Sequence, residues 1–433
     1  MPGGLIQLVA IGAQDVVLTG EPEITFFAAL YRPYVNFAIE SIAQTFTGTA
    51  NFGNRVTFDL SRSGDLITNV LLEVCLPEVQ VQGQNATFQW APALGNTLIE
   101  EVSIEIGGSQ IDKHFGMFYN IWNELTLPAE KLEGYNTMIG QQNLKYNKTD
   151  PADIIVFEDG PQTPLQTQPA FCVQVPIHFW FCKNSGLALP VIALQFHNIR
   201  FHFKFRAFSE LNRVTGTNVS IIGGDPSFTS AQVWVDYIYL DNKERKNFAK
   251  SPHEYLITQL QEISEGVSQK NHNVRLNFNH PCKELIWVLQ EDAAVAANVN
   301  DWTNWEVVND QYAGYDPTVN GVPGDNPLVS ALLKLNNTER AARRKGEYYN
   351  LVQPYYFHTR IPSSKGVFVY SFALNPEEYQ PSATANFSRI DNATLELDSK
   401  NLNTNNPGKV YVYTINYNLF RVANGMGGIA YAS

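Results

Sequence analysis

Apolar and polar residues alternate strictly in several stretches of the first half of the chain. Residues 56–61 and 201–206 show this alternation most clearly. Successive side chains of a strand point to opposite faces, so the pattern predicts strands with one buried and one wet face. Residues 65–77 and 98–106 are more continuously apolar and predict buried strands, the second of which ends at a Gly107-Gly108 turn.

The second half of the chain repeats these signals in the same order. Three pairs of segments match: 274–279 with 56–61, 333–339 with 104–110, and 381–390 with 190–199. One such match is weak, but three in the same order indicate two similar β domains in tandem. Many short strands with long polar insertions are typical of a sandwich or jelly roll. We therefore expect an all-β double jelly roll, made of two tandem eight-stranded antiparallel sandwiches with short helices in loop insertions.

Polar segments predict the domain boundaries. The charged run 241–247 follows a strand-like segment and predicts a short linker helix. We expect an N-terminal arm at residues 1–25 and a first jelly-roll domain at 26–242. The linker helix and the second jelly-roll domain would then occupy residues 243–433.

The strand pattern is interrupted at several places within the domains. Phe115, Phe118, Trp122 and Leu125 would share one face of a helix, and residues 339–345 predict a shorter charged helix. Long stretches rich in Gly, Asn, Asp and Thr predict surface loops. These stretches are 78–95, 206–232 and 290–326.

The charge balance changes the range of possible functions. The chain has 433 residues, with 30 Lys and Arg against 42 Asp and Glu, a net charge of −12. An acidic surface repels phosphate, so we expect no direct contact with nucleic acid. Charged residues make up only 17% of the chain, which indicates surfaces that are uncharged or covered by neighbours.

The cysteine positions and the hydropathy of the chain argue against further classes of protein. The four cysteines, at 75, 172, 182 and 282, show no CxxC spacing, so we expect reduced, mostly buried thiols without a zinc site or disulfide framework. The N-terminus lacks the basic and apolar regions of a signal peptide, which predicts synthesis in the cytosol. The charge-free stretch 160–182 contains four prolines and is not expected to cross a membrane.

Segments spread over nearly the whole chain resemble one viral family. They include GGLIQLVAIGAQD at 3–15, GLALP at 186–190, NFSRIDNAT at 386–394 and GMGGIAY at 425–431, together with 36–41, 63–68, 106–114, 252–257 and 279–285. The combination resembles the major capsid proteins of nucleocytoplasmic large DNA viruses, and is most similar to the chlorella-virus (phycodnavirus) branch.

The resemblance implies a structural virion protein that trimerises into pseudo-hexagonal capsomers and tiles an icosahedral capsid. Its implied partners are further copies of itself, neighbouring capsomers and minor capsid proteins, with an internal membrane nearby. The alternatives are a paralogous minor or vertex capsid protein, or a glycan-binding surface protein on the same fold. For glycan binding, residues 301–305, with two tryptophans beside Asp and Asn, are the candidate shelf, and a loop anchored by those tryptophans is the structural alternative.

Motifs of catalysis are not found in this sequence. The eight histidines form no His-x-His pair, and no Gly-x-Ser-x-Gly, P-loop or HExxH motif occurs. We therefore expect no enzyme activity and no catalytic, cofactor-binding or metal-binding residue. The basic cluster of Arg340, Arg343, Arg344 and Lys345 is expected to pair with acidic groups of its own domain or of a neighbouring subunit.

Six Asn-x-Ser/Thr sequons occur, at residues 85, 147, 218, 336, 386 and 392. A sequon requires only an accessible amide beside a hydroxyl residue, so most matches arise by chance. The candidate glycosylation sites are Asn147, Asn218, Asn85 and Asn336, and the first two lie in predicted surface insertions. Asn386 and Asn392 lie in a strand-like motif and are expected to stay unmodified.

Overall fold

The computed structural model describes residues 3–23, 29, 31–141, 144–146, 155–157, 161–307, 324–340, 342–400 and 402–431. The chain divides into two compact units, residues 1–37 and 38–433. The first unit contains two short helices, α1 (Gly3–Val9) and α2 (Asp15–Thr19), neither of which has a buried residue.

The first half of the chain is built mainly from antiparallel strands. In the described residues these are β1 (Phe37–Gln44), β2 (Arg55–Asp59), β3 (Leu66–Leu76), β4 (Val79–Trp90), β5 (Ile99–Ile106), β6 (Ser109–Phe115), β7 (Leu144–Tyr146), β8 (Ile155–Phe157), β9 (Thr167–Gln168), β10 (Phe171–Pro176), β11 (Ile199–Phe205), β12 (Asn212–Ile221) and β13 (Ser230–Leu240). Short helices interrupt them: α3 (Leu94–Leu98), α4 (Gly116–Thr126), α5 (Ala129–Met138), α6 (Trp180–Lys183) and the 3₁₀ turns Ser185–Leu187 and Phe208–Glu210.

Two four-stranded sheets face each other in this half, in the orders β1-β13-β3-β10 and β2-β11-β5-β6. Alternation decides which side chains enter the core between them. Phe201 and Phe203 of β11 are fully buried, while the adjacent His202 and Lys204 are only half-buried. Phe201 stacks on Phe58 of β2 with 4.8 Å between ring centroids, which ties neighbouring strands together on the inner face.

The second half has its own strands and helices. They are α7 (Asn242–Lys250), β14 (His253–Val267), β15 (Asn271–Arg275), β16 (Pro281–Glu291), β17 (Leu328–Leu335), β18 (Thr338–Glu339), β19 (Arg344–Lys345), the π-helical turn Tyr348–Val352, α8 (Gln353–Phe357), β20 (Val367–Ser371), β21 (Ala385–Asn386), the 3₁₀ turn Phe387–Arg389, β22 (Ala393–Ser399), β23 (Gly408–Ala423) and β24 (Met426–Ile429).

The sheets of the second half repeat the strand order of the first. Their main paths run β14-β23-β16-β20 and β15-β22-β17-β18. In each half, the last long strand pairs with the first strand of its sheet, and the third strand in each order carries the central apolar run. The predicted tandem repeat is therefore confirmed, and the fold is a double jelly roll.

Several predicted elements have the expected limits. The buried strand expected at 65–77 is β3, and the turn at Gly107-Gly108 has φ of +60° and +84°, values that glycine adopts without strain. The expected linker helix is α7, whose first turn is capped by the Asp241 carboxylate accepting from the Asn242 N–H at 2.8 Å. The helix predicted from Phe115, Phe118, Trp122 and Leu125 is α4, in which the last three side chains are buried. Phe115 is not part of this helix, since it is the last residue of β6.

Other local predictions were wrong. Residues 78–95 and 206–232 are not polar loops, because β4 and β12 pair there as a long antiparallel ribbon. A cross-strand hydrogen bond of 2.6 Å between the hydroxyls of Thr87 and Thr215 stabilises this ribbon. Residues 339–345 do not form a helix in their described part, since β18 and β19 both pair with β17 instead.

The prediction of four free thiols was also wrong. Cys75 of β3 and Cys172 of β10 are directly opposite each other in the antiparallel register, with a Cα–Cα distance of 4.0 Å, and form a disulfide. Cys182 and Cys282 are free, and burial raises the pKa of each thiol to about 12, so both stay protonated and unreactive.

Candidate assembly faces

The two jelly rolls pack on each other through an asymmetric contact. Helix α4 and strand β6 of the first half lie on the outer face of the sheet that contains β14, β23 and β16. The ring of Phe118 lies 5.2 Å from that of Tyr413, and the Leu260 N–H donates to the Asp112 carboxylate at 3.1 Å. Ile286 and Val288 of β16 are fully buried on this outer face and belong to the core of the first half. The junction therefore continues the hydrophobic core from one half into the other.

A polar clasp joins the same helix to the second half. Arg360 donates through Nε to the Glu124 carbonyl at 2.9 Å and pairs with the Glu124 carboxylate at 3.2 Å. The backbone N–H of Ser363 donates to the same carboxylate at 2.8 Å. Because α4 ends at this point, the clasp fixes the end of the helix against the segment that leads into β20.

Next to the clasp lies a buried charge triad. His358 Nε2 is 3.0 Å from the Glu284 carboxylate and its Nδ1 is 2.9 Å from the Glu377 carboxylate. Burial alone would lower the pKa of His358, but the two carboxylates outweigh it and raise the pKa to about 9. The imidazolium is thus charged at neutral pH and compensates Glu284, whose side chain has no exposed surface.

The corresponding sheet of the first half is open on its outer face. Along β3, residues 70, 72, 74 and 76 are buried, whereas Leu71, Glu73 and Cys75 on the other face are only half-buried. A groove of about 640 Å³ runs over this face. Among its lining residues are Asn69, Leu71, Glu73, Gln174, Trp234 and Asp236.

The carboxylates of this groove are held in place by amides. Gln174 and Gln232 donate to the Glu73 carboxylate at 2.9 and 2.7 Å, and these hydrogen bonds lower the pKa of Glu73. Asn69 donates to Asp236 at 2.9 Å. The groove therefore combines an apolar floor with fixed negative charge.

The helical segment of the second half exposes an apolar face. We call residues 348–357 the second-half helix, since the π-helical turn runs directly into α8. Its residues Tyr349, Asn350, Gln353 and Pro354 are buried. The opposite face carries large apolar side chains with 39–70% of their surface exposed: Leu351, Val352, Tyr355 and Tyr356. A contiguous exposed apolar face of this kind marks a candidate interaction site.

Where the structure describes them, the predicted glycosylation sites are exposed: Asn85 and Asn218 lie within strands β4 and β12, and Asn336 lies in the turn after β17. Asn85, Asn218 and Asn336 are exposed and have φ of +53°, +53° and +49°. Asn is among the few residues that tolerate this left-handed region, so the backbone explains its presence there without a sugar. Asn147 lies outside the described residues. Asn386 and Asn392 hold local turns: the first accepts from the Ser388 N–H, and the second donates to Asn337.

The side chains of the candidate glycan shelf at 301–305 make contacts within the protein. The guanidinium carbon of Arg206 lies 3.7 Å from the ring centroid of Trp302, and the indole N–H of Trp302 donates to the Glu210 carbonyl. Trp305 is 2% exposed. Asp301 pairs with Arg213 at 3.3 Å. The segment is therefore the loop anchored by two tryptophans, and it fastens the second half to the first.

Part of the basic cluster pairs with groups of its own domain, which was one of the two predicted alternatives. Arg343 donates to Glu396 at 2.7 Å, and the Arg344 guanidinium lies 5.2 Å from the Tyr348 ring centroid. Arg344 and Lys345 remain exposed. Within the described part of the chain, no group of three or more His, Cys, Asp or Glu side chains is placed to hold a metal ion.

Sequence reasoning missed the disulfide, the buried triad and the open groove. Each depends on which strands are neighbours, and spacing along the chain does not show this. No sequence signal shows the groove, because β3 is apolar on both faces except at Thr68, Asn69 and Glu73. Among the described helices, none is long and apolar enough to cross a bilayer.

Two linked sandwiches with the same strand order define a protein of the double-jelly-roll class. Comparison with known proteins agrees. A family model described as "Major capsid protein N-terminus" matches residues 25–241, and one described as "Large eukaryotic DNA virus major capsid protein" matches residues 244–428. The chain belongs to the major capsid protein family of large eukaryotic DNA viruses.

Individual relatives match over their full length. The chain is 39% identical to the major capsid protein of Phaeocystis pouchetii virus and 39% identical to that of Paramecium bursaria Chlorella virus 1, with 100% of both chains covered in each case. In a quasi-atomic model of the PBCV-1 virus capsid, the matching chain is 34% identical, with a TM-score of 0.73 over 94% of this chain and 100% of that one. The protein is thus a structural component of the virion that assembles with itself into a capsid, and its family is not one of enzymes.

Proposed function

We propose that the chain forms homotrimeric capsomers of pseudo-hexagonal outline, which tile the faces of an icosahedral capsid. The repeated strand order supports this most directly, because two similar halves in each of three chains give six similar wedges around one axis. A closed cyclic ring also joins unlike faces without growing into a filament.

The division of the chain into an arm at 1–25, a first domain at 26–242 and a second at 243–433 remains part of this proposal. The family models meet between residues 241 and 244, and the sheets of the two halves separate around α7, which supports the second boundary. The arm carries highly exposed apolar residues, among them Val9, Val17 and Leu18 at 76–84%. We expect neighbouring proteins to cover this arm beneath the shell.

Further partners follow from the same proposal. We expect minor capsid proteins to contact the inner side of the shell, with an internal membrane beneath it that this protein does not cross. Synthesis and assembly would take place in the host cytoplasm. Glycan binding is the weaker alternative, because Trp302 and Trp305 are used for internal packing.

Size-exclusion chromatography with light scattering tests the trimer. The purified protein should elute with the mass of three chains, and negative-stain images should show six-sided particles. A monomer at all accessible concentrations would contradict the proposal. Substituting Trp302 by Ala provides a control for the alternative: glycan-array signal in the wild type that this variant loses would favour sugar binding.

We also propose glycosylation at one or more of Asn147, Asn218, Asn85 and Asn336. Exposure of the last three supports it, since an acceptor amide must reach a transferase. Intact-mass measurement of protein from virions should exceed the polypeptide mass, and Asn-to-Gln variants should remove the excess site by site. A mass equal to that of the bare chain would exclude it.

A further inference from the structure

The two halves contain corresponding helices, which are buried by neighbouring residues to different extents. In the first half, helix α4 follows the β5–β6 hairpin and has no exposed residue, because one side faces its own core and the other faces the second half. In the second half, the second-half helix follows the β17–β18 hairpin in the same place. It is buried on one side only.

The sheets show the complementary difference. Strands β16 and β3 are third in their respective sheet orders. All residues of β16 after Pro281 are buried, on both faces, because α4 and β6 lie on its outer face. On β3, the outer face with Leu71 and Glu73 is open over the groove. The chain therefore has one uncovered helix and one uncovered sheet. The contact of α4 with the second-half sheet shows how a helix and a sheet of this kind pack together.

We infer that the second-half helix of one copy docks into the groove on the β1-β13-β3-β10 sheet of the next copy, as α4 docks on the second-half sheet within each chain. This inference rests on the proposed trimer and identifies its contact surfaces. Every copy offers one helix and one groove, so the contact is heterologous and three copies can close into a ring. Tyr355 and Tyr356 would be the central anchors, since exposed aromatic side chains lose the most solvent contact on docking.

Charge supports the same pairing. Arg344 and Lys345 are exposed on β19, three residues before the second-half helix begins. The groove presents Glu73 and Asp236, and its amide donors favour the ionised form of Glu73. Opposite charges beside the apolar contact would orient the helix as it docks.

Two variants remove the two sides of this contact separately. Tyr355→Glu with Tyr356→Glu changes only exposed side chains of the helix, and Leu71→Lys places a charge on the groove floor. Each should weaken trimer formation by about 30-fold or more, the effect typical of removing a buried anchor. Phe196→Glu, at a position that is 75% exposed and lies on neither surface, is the matched control and should remain trimeric.

Mixing the two variants provides the decisive test by sedimentation velocity. The helix variant keeps an intact groove and the groove variant keeps an intact helix, so a 1:1 mixture should form a heterodimer that cannot close. This product also shows that both variants are folded. Trimers persisting in either variant alone, or a mixture without heterodimer up to the solubility limit, would overturn the inference. A wild-type monomer would instead refute the proposed trimer itself.

Discussion

His358 lies between two carboxylates at a point where the chain passes from helix α8 towards β20. Its pKa, raised to about 9, exceeds the ordinary value of about 6.5. A group with a raised pKa in the folded state stabilises the fold fully below its unfolded pKa. It loses that contribution as pH rises through the folded value.

We predict that His358 contributes about 3 kcal/mol to the free energy of unfolding at pH 6 and loses it between roughly pH 7 and pH 9. Urea unfolding of wild type and His358→Gln over this range would measure the difference. The comparison is needed because burial lowers the pKa of neighbouring Lys283 to about 8, which contributes with the opposite sign. A constant difference between the two proteins across this range would contradict the prediction.

His272 offers a matched control at the residue scale. It pairs with Glu265 at 3.3 Å, but both side chains are partly exposed, at 22% and 36%. Exposed pairs contribute about 0–1 kcal/mol, so His272→Gln should change stability little. Burial, rather than the ion pair alone, therefore makes the expected contribution of His358 to the free energy of unfolding large.

At the scale of elements, the Cys75–Cys172 bond joins strands β3 and β10 on the outer face of their sheet. The two residues are 97 positions apart in sequence. Closing so long a loop restricts the unfolded chain, which stabilises the folded state.

We predict that Cys75→Ser with Cys172→Ser lowers the free energy of unfolding by about 2–4 kcal/mol. Thermal unfolding with and without a thiol reductant measures this. Reductant should lower the melting temperature of the wild type and leave the double variant unchanged. Four titratable thiols in the unfolded, non-reduced wild type would contradict the bond.

The elements also show how far sequence reasoning reaches. Alternation and repeated order were sufficient to predict β2, β3, β5 and β11, the tandem repeat and the linker helix, because burial on one face leaves a period of two. The β4–β12 ribbon could not be predicted from the sequence, because its middle residues are polar and exposed on both faces. Its stability comes from pairing between segments about 130 residues apart, and no local pattern encodes that pairing.

The candidate sites were less predictable than the fold. The tryptophans at 302 and 305 could be interpreted as a shelf or an anchor from sequence, and only the positions of Arg206 and Glu210 decide between them. Likewise, neither Cys75 nor Cys172 has a local signal for pairing. Their bond depends on the register of β3 against β10.

At the scale of the whole molecule, the junction between the halves joins their hydrophobic cores. Phe118 is 2% exposed and packs across it onto Tyr413. We predict that Phe118→Ala lowers the free energy of unfolding by about 3–5 kcal/mol, because it leaves a cavity where the two cores meet. Chemical unfolding measures this loss.

Phe196→Ala is the control for that measurement. The same atoms are removed from a side chain that is 75% exposed, so the expected change is within about 0.5 kcal/mol. Equal losses in the two variants would show that the junction adds nothing to stability beyond the separate halves.

The covalent union of two similar jelly rolls in one chain has a geometric consequence. Whole chains supply wedges only in even numbers, whereas the corners of an icosahedron have fivefold symmetry. Five is odd, so no set of intact chains can fill a corner with one wedge per position. If this protein tiles an icosahedral shell as proposed, we therefore expect a different polypeptide, one that contributes a single wedge, wherever the flat faces meet at a point.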